Sequence, residues 1–351
     1  MKKPTSIDVA RLAGVSRTTV SFVLNQVDHV SIPESTRNRV LDAAKQLGYE
    51  PPSRRNEASP LSSRLIGVVV PTLSNLIYPA WLQEIEEYAA SKGYRIIVCN
   101  TQRKPENELE FIQILREKKV DGIIFVFSPY HTEAMEKVSL EIPLVNIAET
   151  SNRSSVSTIG LDSVKAGYLM ARHLIELGHR DIAYVSTPLT SISVSRIKRL
   201  EGIRMAMQEQ GMLDRLVIET ESHEHERYET TYEVETGRNL TRKILAEHRV
   251  TAIIGVNDMV AVGIMDAAKK QGFAIPEDLS VGGFDNIFLS TLSQPPLTTI
   301  DHHIYYRAKH AVDILLDKIV KVENQTGVFR VEYEPQLIIR GSTGNPRAGL
   351  Y

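Results

Sequence analysis

The chain has 351 residues, 42% hydrophobic and 24% charged, with a formal net charge of −2. That is enough for two or three domains and ordinary for a soluble globular protein. One cysteine, Cys99, excludes an internal disulfide, no apolar run reaches membrane-spanning length, and Met1-Lys2-Lys3-Pro4 leads into the first helix without an apolar leader; a cytoplasmic protein is expected.

The charge is unevenly spread. The first 64 residues hold ten Lys and Arg against six Asp and Glu, whereas the rest hold 31 against 37. A small basic head on an acidic body fits a DNA-contacting module carried by a domain that does not touch DNA.

Residues 5–25 read as two short helices joined by a tight turn. Thr5 is a hydroxyl N-cap with Asp8 three residues on, a capping-box arrangement with Asp in place of Glu. Ile7, Val9, Ala10 and Ala13 fall on one side of the first helix. Gly14 stops it, and Ser16 caps the second helix. There Val20, Val23 and Leu24 share an inward arc, while Arg17, Thr18, Ser21, Phe22 and Asn25 share the outer one. Burial does not explain that outer selection. Short hydroxyl and amide groups plus one Arg suit a major groove, with Arg17 and Thr18 in the first turn, where a helix-turn-helix reader meets base edges. Ser16, Thr19, Ser21 and Asn25 are donors of the kind that reach phosphates. The bland alternative is a small helical hairpin with a polar face. A third helix over about 34–47 starts at Pro33 and stops at Gly48, with Val40, Ala44 and Leu47 closing a small core. Residues 51–64 are polar and rich in Pro and Ser, a linker composition.

From Leu65 the chain alternates β-branched runs with helical periods. Strands are expected at 65–70, 95–99, 122–127 and 143–147, with helices over about 80–91 and 106–118. A second set has strands at 182–185, 217–218, 252–256 and 279–281. Such alternation predicts an α/β fold of parallel sheets covered on both faces, here two similar lobes with a cleft at the strand C-termini. Residues 219–235, with His223-Glu224-His225-Glu226 at their middle, match no zinc spacing and read as a solvated charged loop or hairpin.

The run from Ile7 through Asn25 resembles the N-terminal signature of the lactose-repressor/galactose-repressor family of bacterial transcription regulators. The likeness continues through Val30-Ser31 and the third helix. It returns at Gly178-His179-Arg180, Asn257-Asp258, Gly283-Phe284-Asp285, Pro296-Leu297-Thr298-Thr299-Ile300 and Ile339-Arg340-Gly341-Ser342-Thr343. The resemblance implies a helix-turn-helix head over 1–50, a hinge over 51–64, and two lobes like those of periplasmic sugar-binding proteins. The first lobe would take 65–163 plus 291–325 and the second 164–290 plus 326–345, with crossovers near 163, 291 and 325. It adds Thr5 to the DNA-contacting residues and implies DNA-backbone contacts at His29, Ser31 and Thr36, each of which also reads as a loop or cap residue. Relatives insert a hinge leucine into the minor groove; here Ala58 holds that position, Arg55 replaces a small residue and Pro60 follows. Ala58 is too short for a wedge, so weaker hinge-dependent bending is expected, with Arg54 and Arg55 tracking phosphates or a narrow minor groove. Phe22 stands where many relatives carry Arg, which exchanges a guanine contact for a thymine methyl.

No G-x-G-x-x-G, P-loop or G-x-S-x-G elbow occurs, and no cofactor is implied. A binding cleft has better candidates. Asn257 and Asp258 follow a strand and open a helix, and Asp285 follows another strand, so both junctions face the crevice. Asp258 is also an ideal N-cap and reads as structural. Arg199 matches the family's cleft arginine, with a surface salt bridge as its alternative. Arg199, Asn257 and Asp285 would give forked donors and acceptors for adjacent sugar hydroxyls. Tyr78, in the loop after the first strand just past Asn75, and Tyr232 sit where the family places ring-stacking aromatics. Ser195 and Glu149 add polar contacts, Glu149 at a position often held by Arg in relatives.

The reading is a DNA-binding repressor controlled by a small ligand, expected to be a sugar, in the cleft. It would bind a near-palindromic operator as a homodimer, and not as the tetramer some relatives form through an extra C-terminal helix, since no heptad-bearing tail follows Thr343. The alternatives are a sugar-binding module or a sugar-acting enzyme without operator-specific DNA binding.

Overall fold

The computed structural model describes residues 4–24, 32–49, 62–149, 155–190, 194–222, 229–320 and 327–347, without the side chains of Arg17, Thr18, Ser21 and Phe22. The chain divides into two compact units, 1–60 and 61–351.

The head is α1 (Ser6–Ala13), α2 (Arg17–Leu24) and α3 (Glu34–Leu47). The Asp8 carboxylate turns back to accept from the Thr5 amide at 2.9 Å and its hydroxyl at 2.7 Å. Gly14 sits at φ +65°, a left-handed residue that ends α1, and Ser16 Oγ accepts from the Thr19 amide at 3.1 Å to start α2. Val9, Ala10, Ala13, Val20, Val23, Val40, Ala43 and Ala44 form the core. Ile7 is not in it. At about 100° per residue it lies about 160° around α1 from Val9, and it is 52% exposed.

The body runs β1 (Leu65–Val70), α4 (Ile77–Ser91), β2 (Arg95–Asn100), α5 (Pro105–Glu117), β3 (Gly122–Phe125), α6 (Thr132–Ser139), β4 (Leu144–Ile147), β5 (Ser157–Leu161), α7 (Ser163–Glu176), β6 (Ile182–Ser186) and α8 (Val194–Glu209). It continues with β7 (Leu216–Thr220), α9 (Tyr232–Glu247), β8 (Ala252–Gly255), α10 (Asp258–Lys270), β9 (Ser280–Gly282), α11 (Phe288–Leu292), β10 (Thr299–Asp301), α12 (Ile304–Val320), β11 (Arg330–Tyr333) and β12 (Gln336–Ile338). The first lobe's sheet has the order β11-β5-β4-β3-β1-β2, and the second lobe's has the order β7-β6-β8-β9; every pairing within them is parallel. Central strands such as β1, β3 and β8 are apolar throughout because helices cover both faces. Where the body begins, the Asp121 carboxylate gathers the chain, accepting from the amides of Ser63 and Arg64, both at 3.0 Å, and from the Ser62 hydroxyl.

Three crossings join the lobes, between β5 and α7, between β10 and α12, and between β11 and β12. The first lies near 163. The second comes at about 302 rather than 291, because Leu297 and Ile300 belong to the second lobe's core and β10 pairs antiparallel with β12. The third comes at about 334 rather than 325, because β11 is an edge strand of the first sheet beside β5. The crossings are stitched together. The Asp162 amide donates to Tyr333 O at 3.3 Å, His303 Nε2 to Glu334 O at 3.0 Å, and Lys165 pairs with the Glu334 carboxylate.

In the second lobe, helices cross at pairs of glycines. A Cβ on Gly167 would stand 1.9 Å from the carbonyl oxygen of Arg199, and one on Gly202 would stand 1.8 Å from that of Val164. Gly237 and Gly263 let α9 and α10 meet in the same way, with Cβ positions 2.2 Å and 2.1 Å from the carbonyl oxygens of Val260 and Val234.

Candidate effector cavity and DNA-reading head

A cavity of about 160 Å³ lies between the lobes at the carboxyl ends of the strands, the position open α/β sheets reserve for ligands. Asn75, Tyr78, Glu149, Ser195, Arg199, Asn257 and Asp285 all line it; Tyr232 does not. Its neighbour Glu233, in the first turn of α9, does. That overturns the solvated reading of the charged stretch at this residue: Glu233 is buried and accepts from Asn75 Nδ2 at 2.8 Å, linking the lobes. His223-Glu224-His225-Glu226 lie outside the described residues. Tyr78 is on α4 rather than in the preceding loop, because Asn75 Oδ1 accepts from the Ile77 amide at 3.0 Å and starts the helix there.

The polar centre is Asp285, Arg199 and His302, all buried. Asp285 holds φ +125°, a conformation unusual for a residue with a Cβ, fixed by its amide bonding Ile300 O at 3.0 Å. Burial pushes its carboxyl well above the usual range, and Arg199, with Nη2 3.7 Å from Oδ1, pulls the other way. Arg199 Nη1 donates to Val256 O at 2.5 Å, and the guanidinium lies 4.8 Å from the Phe284 ring centre. Arg199 Nη2 is 3.1 Å from His302 Nε2. A guanidinium only donates, so Nε2 is bare and the imidazole proton sits on Nδ1. Burial, then Arg199 and Arg307, hold His302 well below its ordinary pKa, which keeps the ring neutral. The surface salt bridge weighed for Arg199 is thereby replaced by an internal role.

The junction before α10 reverses the two expected roles in part. Asn257 is the N-cap, its Oδ1 accepting from the Val260 amide at 2.9 Å, while its residue still lines the cavity. Asp258 is structural but caps nothing. It is fully buried and accepts from Thr299 Oγ1 at 2.6 Å and the Ile287 amide at 3.1 Å, and burial raises its carboxyl to about 7. Glu149 bridges the lobes, accepting from Lys198 Nζ at 3.0 Å and from the Ser163 hydroxyl.

Sequence reasoning missed Trp81, Phe127, Tyr130, Glu233, His302 and Arg307. The aromatic wall comes from the first lobe alone, through Tyr78, Trp81, Phe127 and Tyr130. Arg307 did leave a signal, a cation interrupting the apolar stripe Ala308, Ala311, Val312 and Leu315 of α12. Its guanidinium is buried over the Trp81 ring at 5.0 Å and donates to His302 O at 3.2 Å and Ile159 O at 3.1 Å.

In the head, Arg17, Thr18, Ser21 and Phe22 fall on α2. The Ser16 and Thr19 hydroxyls lie 2.8 Å apart, sharing a hydrogen bond. Thr36 is half-buried in the first turn of α3, with its hydroxyl 3.4 Å from Arg39 Nη2. Asn25, His29, Ser31, Arg54, Arg55, Ala58 and Pro60 lie outside the described residues.

A three-helix head followed by a two-lobed body with a cleft at its strand ends describes a ligand-responsive DNA-binding regulator. Residues 6–52 match the bacterial regulatory proteins of the lacI family, and residues 171–343 match a periplasmic binding protein-like domain. The chain is 36% identical over 338 residues to the HTH-type transcriptional repressor PurR of Vibrio parahaemolyticus, covering 95% of this chain and 97% of that one. Among solved structures it resembles a LacI family regulator from Enterococcus faecium with bound ribose, with a TM-score of 0.69, 25% identity, and 80% and 99% of the two chains covered. A regulator from Alkaliphilus metalliredigens complexed with D-xylulofuranose gives 0.68 and 28%, covering 80% and 99%. This chain belongs to the LacI family. It is a DNA-binding transcriptional repressor with a ligand-binding body, a regulator rather than an enzyme. No helix among the described residues is long and apolar enough to cross a membrane.

Proposed function

We propose that the protein is a homodimeric, cytoplasmic repressor whose affinity for a near-palindromic operator is set by a sugar held between its lobes. The observation that carries the effector reading is the meeting of Arg199, Asn257 and Asp285 with the aromatic wall of Tyr78 and Trp81 in one buried cavity. Forked donors and a carboxylate match adjacent hydroxyls, and the rings match the apolar face of a pyranose or furanose. The modest volume suits a monosaccharide. The relatives solved with ribose and D-xylulofuranose support the same class.

On the DNA side, Arg17 and Thr18 read base edges and Phe22 meets a thymine methyl. Thr5, Ser16, Thr19, Ser21, Asn25, His29, Ser31 and Thr36 set register on phosphates, and Arg54 and Arg55 track the backbone through the hinge. The test is operator binding by the full chain with and without a library of monosaccharides. At least one sugar should shift operator affinity by about 5- to 150-fold, the usual range of allosteric coupling. R199M should abolish that shift while leaving sugar-free operator binding intact. A library in which no sugar moves either the melting temperature or the operator affinity overturns the reading.

A further inference from the structure

The cavity's three carboxylates are each engaged by the protein. Glu149 is held by Lys198 and Ser163, Glu233 by Asn75, and Asp285 faces Arg199. Arg307 has no such partner. Among the described residues no carboxylate lies within 4 Å of it, and its hydrogen bonds go to two backbone carbonyls, those of His302 and Ile159. Of five N–H donors two are used, and the buried Nε–H has no acceptor. Glu149, itself held by Lys198 and Ser163, favours its charge only from beyond contact, and a guanidinium shut away from water with a surplus of donors and no carboxylate touching it is costly to keep unless something else supplies the charge. Burial pulls its pKa down to about 10, which still leaves it charged at neutral pH. Trp81 packs against it at the first-lobe wall of the cavity, across from Arg199 on the second.

We infer, building on the sugar reading above, that the effector carries an oxyanion, received by Arg307 while Arg199 and Asp285 take its hydroxyls. The group is the carboxylate of a sugar acid or the phosphate of a phosphosugar, both of which offer a guanidinium a charged acceptor. The first lobe thus selects charge and the second reads hydroxyl stereochemistry, so a ligand satisfies both only when the lobes close on it.

The test is calorimetric titration of the full chain with matched sets: the aldose, aldonate and aldose phosphate of glucose, galactose, ribose and xylose. In one set the aldonate or the phosphate should bind at least about tenfold more tightly than its aldose, and whichever does so identifies the source of the anion. R307Q should erase that advantage and R307K should keep part of it, since a lysine retains the charge without the fork. An aldose binding as tightly as both its anions overturns this inference and leaves the sugar reading standing. An anion advantage that survives in R307Q overturns the role given to Arg307. Should no member of any set bind, the sugar reading falls and this inference with it. The wild-type comparison decides even if R307Q does not fold.

Discussion

Asp258 sits fully buried, and its carboxyl stays protonated to about pH 7 in the fold, whereas in the unfolded chain it ionises near 3.8. Between those values the folded state holds a proton the unfolded state has released, so this group's contribution to stability falls as pH rises from about 4 to 7 and is then flat. At about 1.4 kcal/mol per unit, the loss is on the order of 4 kcal/mol. His302 works in the other direction: held neutral, it costs stability as pH falls below its ordinary 6.5. Comparing wild type with D258N isolates the aspartate. The advantage of wild type over D258N in denaturant unfolding should shrink by about 4 kcal/mol from pH 4 to pH 8. An advantage that does not change with pH would mean that Asp258 ionises normally. The sequence placed Asn257 and Asp258 at a strand-to-helix junction but could not divide their roles. Both residue types cap helices, and a one-residue shift in where α10 begins decides which does. Asp285 was legible because it follows a strand at the crevice, and Arg199 because the family resemblance implies a cleft arginine at its position. His302 and Arg307 were not, since the expected second crossing came too early to bring either residue to the cavity.

The helix pairs of the second lobe depend on contact between backbones. G202A would drive a methyl into the Val164 carbonyl and G263A into that of Val234, and backbone cannot give way as a side chain tip can. Each should cost at least about 1–3 kcal/mol, the usual cost of overpacking, and lower the melting temperature accordingly. G327A, with open space around it, should be close to neutral, and G14A should cost about 1 kcal/mol through its left-handed backbone alone. Unchanged melting of G202A and G263A would show that the helices can move apart freely. The elements themselves were largely legible: β1, β3 and β8 are unbroken apolar runs between helical periods, as is β6 up to Ser186. β5 was not, because Ser157-Thr158 dilutes its apolar character although the strand is entirely buried. Nor were β10 and β12, three residues each, which exist by pairing with one another. The helix-interior glycines were visible as residue types, but which helix each one faces is a tertiary fact.

At the scale of the whole molecule, regulation requires the ligand to prefer one lobe arrangement and the body to convey that preference to the head. Sedimentation equilibrium should give twice the 39.3 kDa chain mass at micromolar concentration, as two operator half-sites require; a monomer under operator-binding conditions would contradict the dimer. Asp121 fastens the start of the body through Ser62, Ser63 and Arg64. D121A should therefore leave ligand affinity unchanged while reducing the ligand's effect on operator affinity severalfold, within the ordinary range of coupling energies. Equal coupling in D121A would show that the signal takes another route. The stitched crossings at Asp162, His303 and Glu334 have a consequence of their own. Three strands of chain tied side by side behave like a strip of tape along a book's spine: shear and twist would tear the ties, whereas bending across the strip leaves them whole. Lobe motion then reduces to one opening angle, and whatever the cavity detects leaves the body as a single mechanical coordinate.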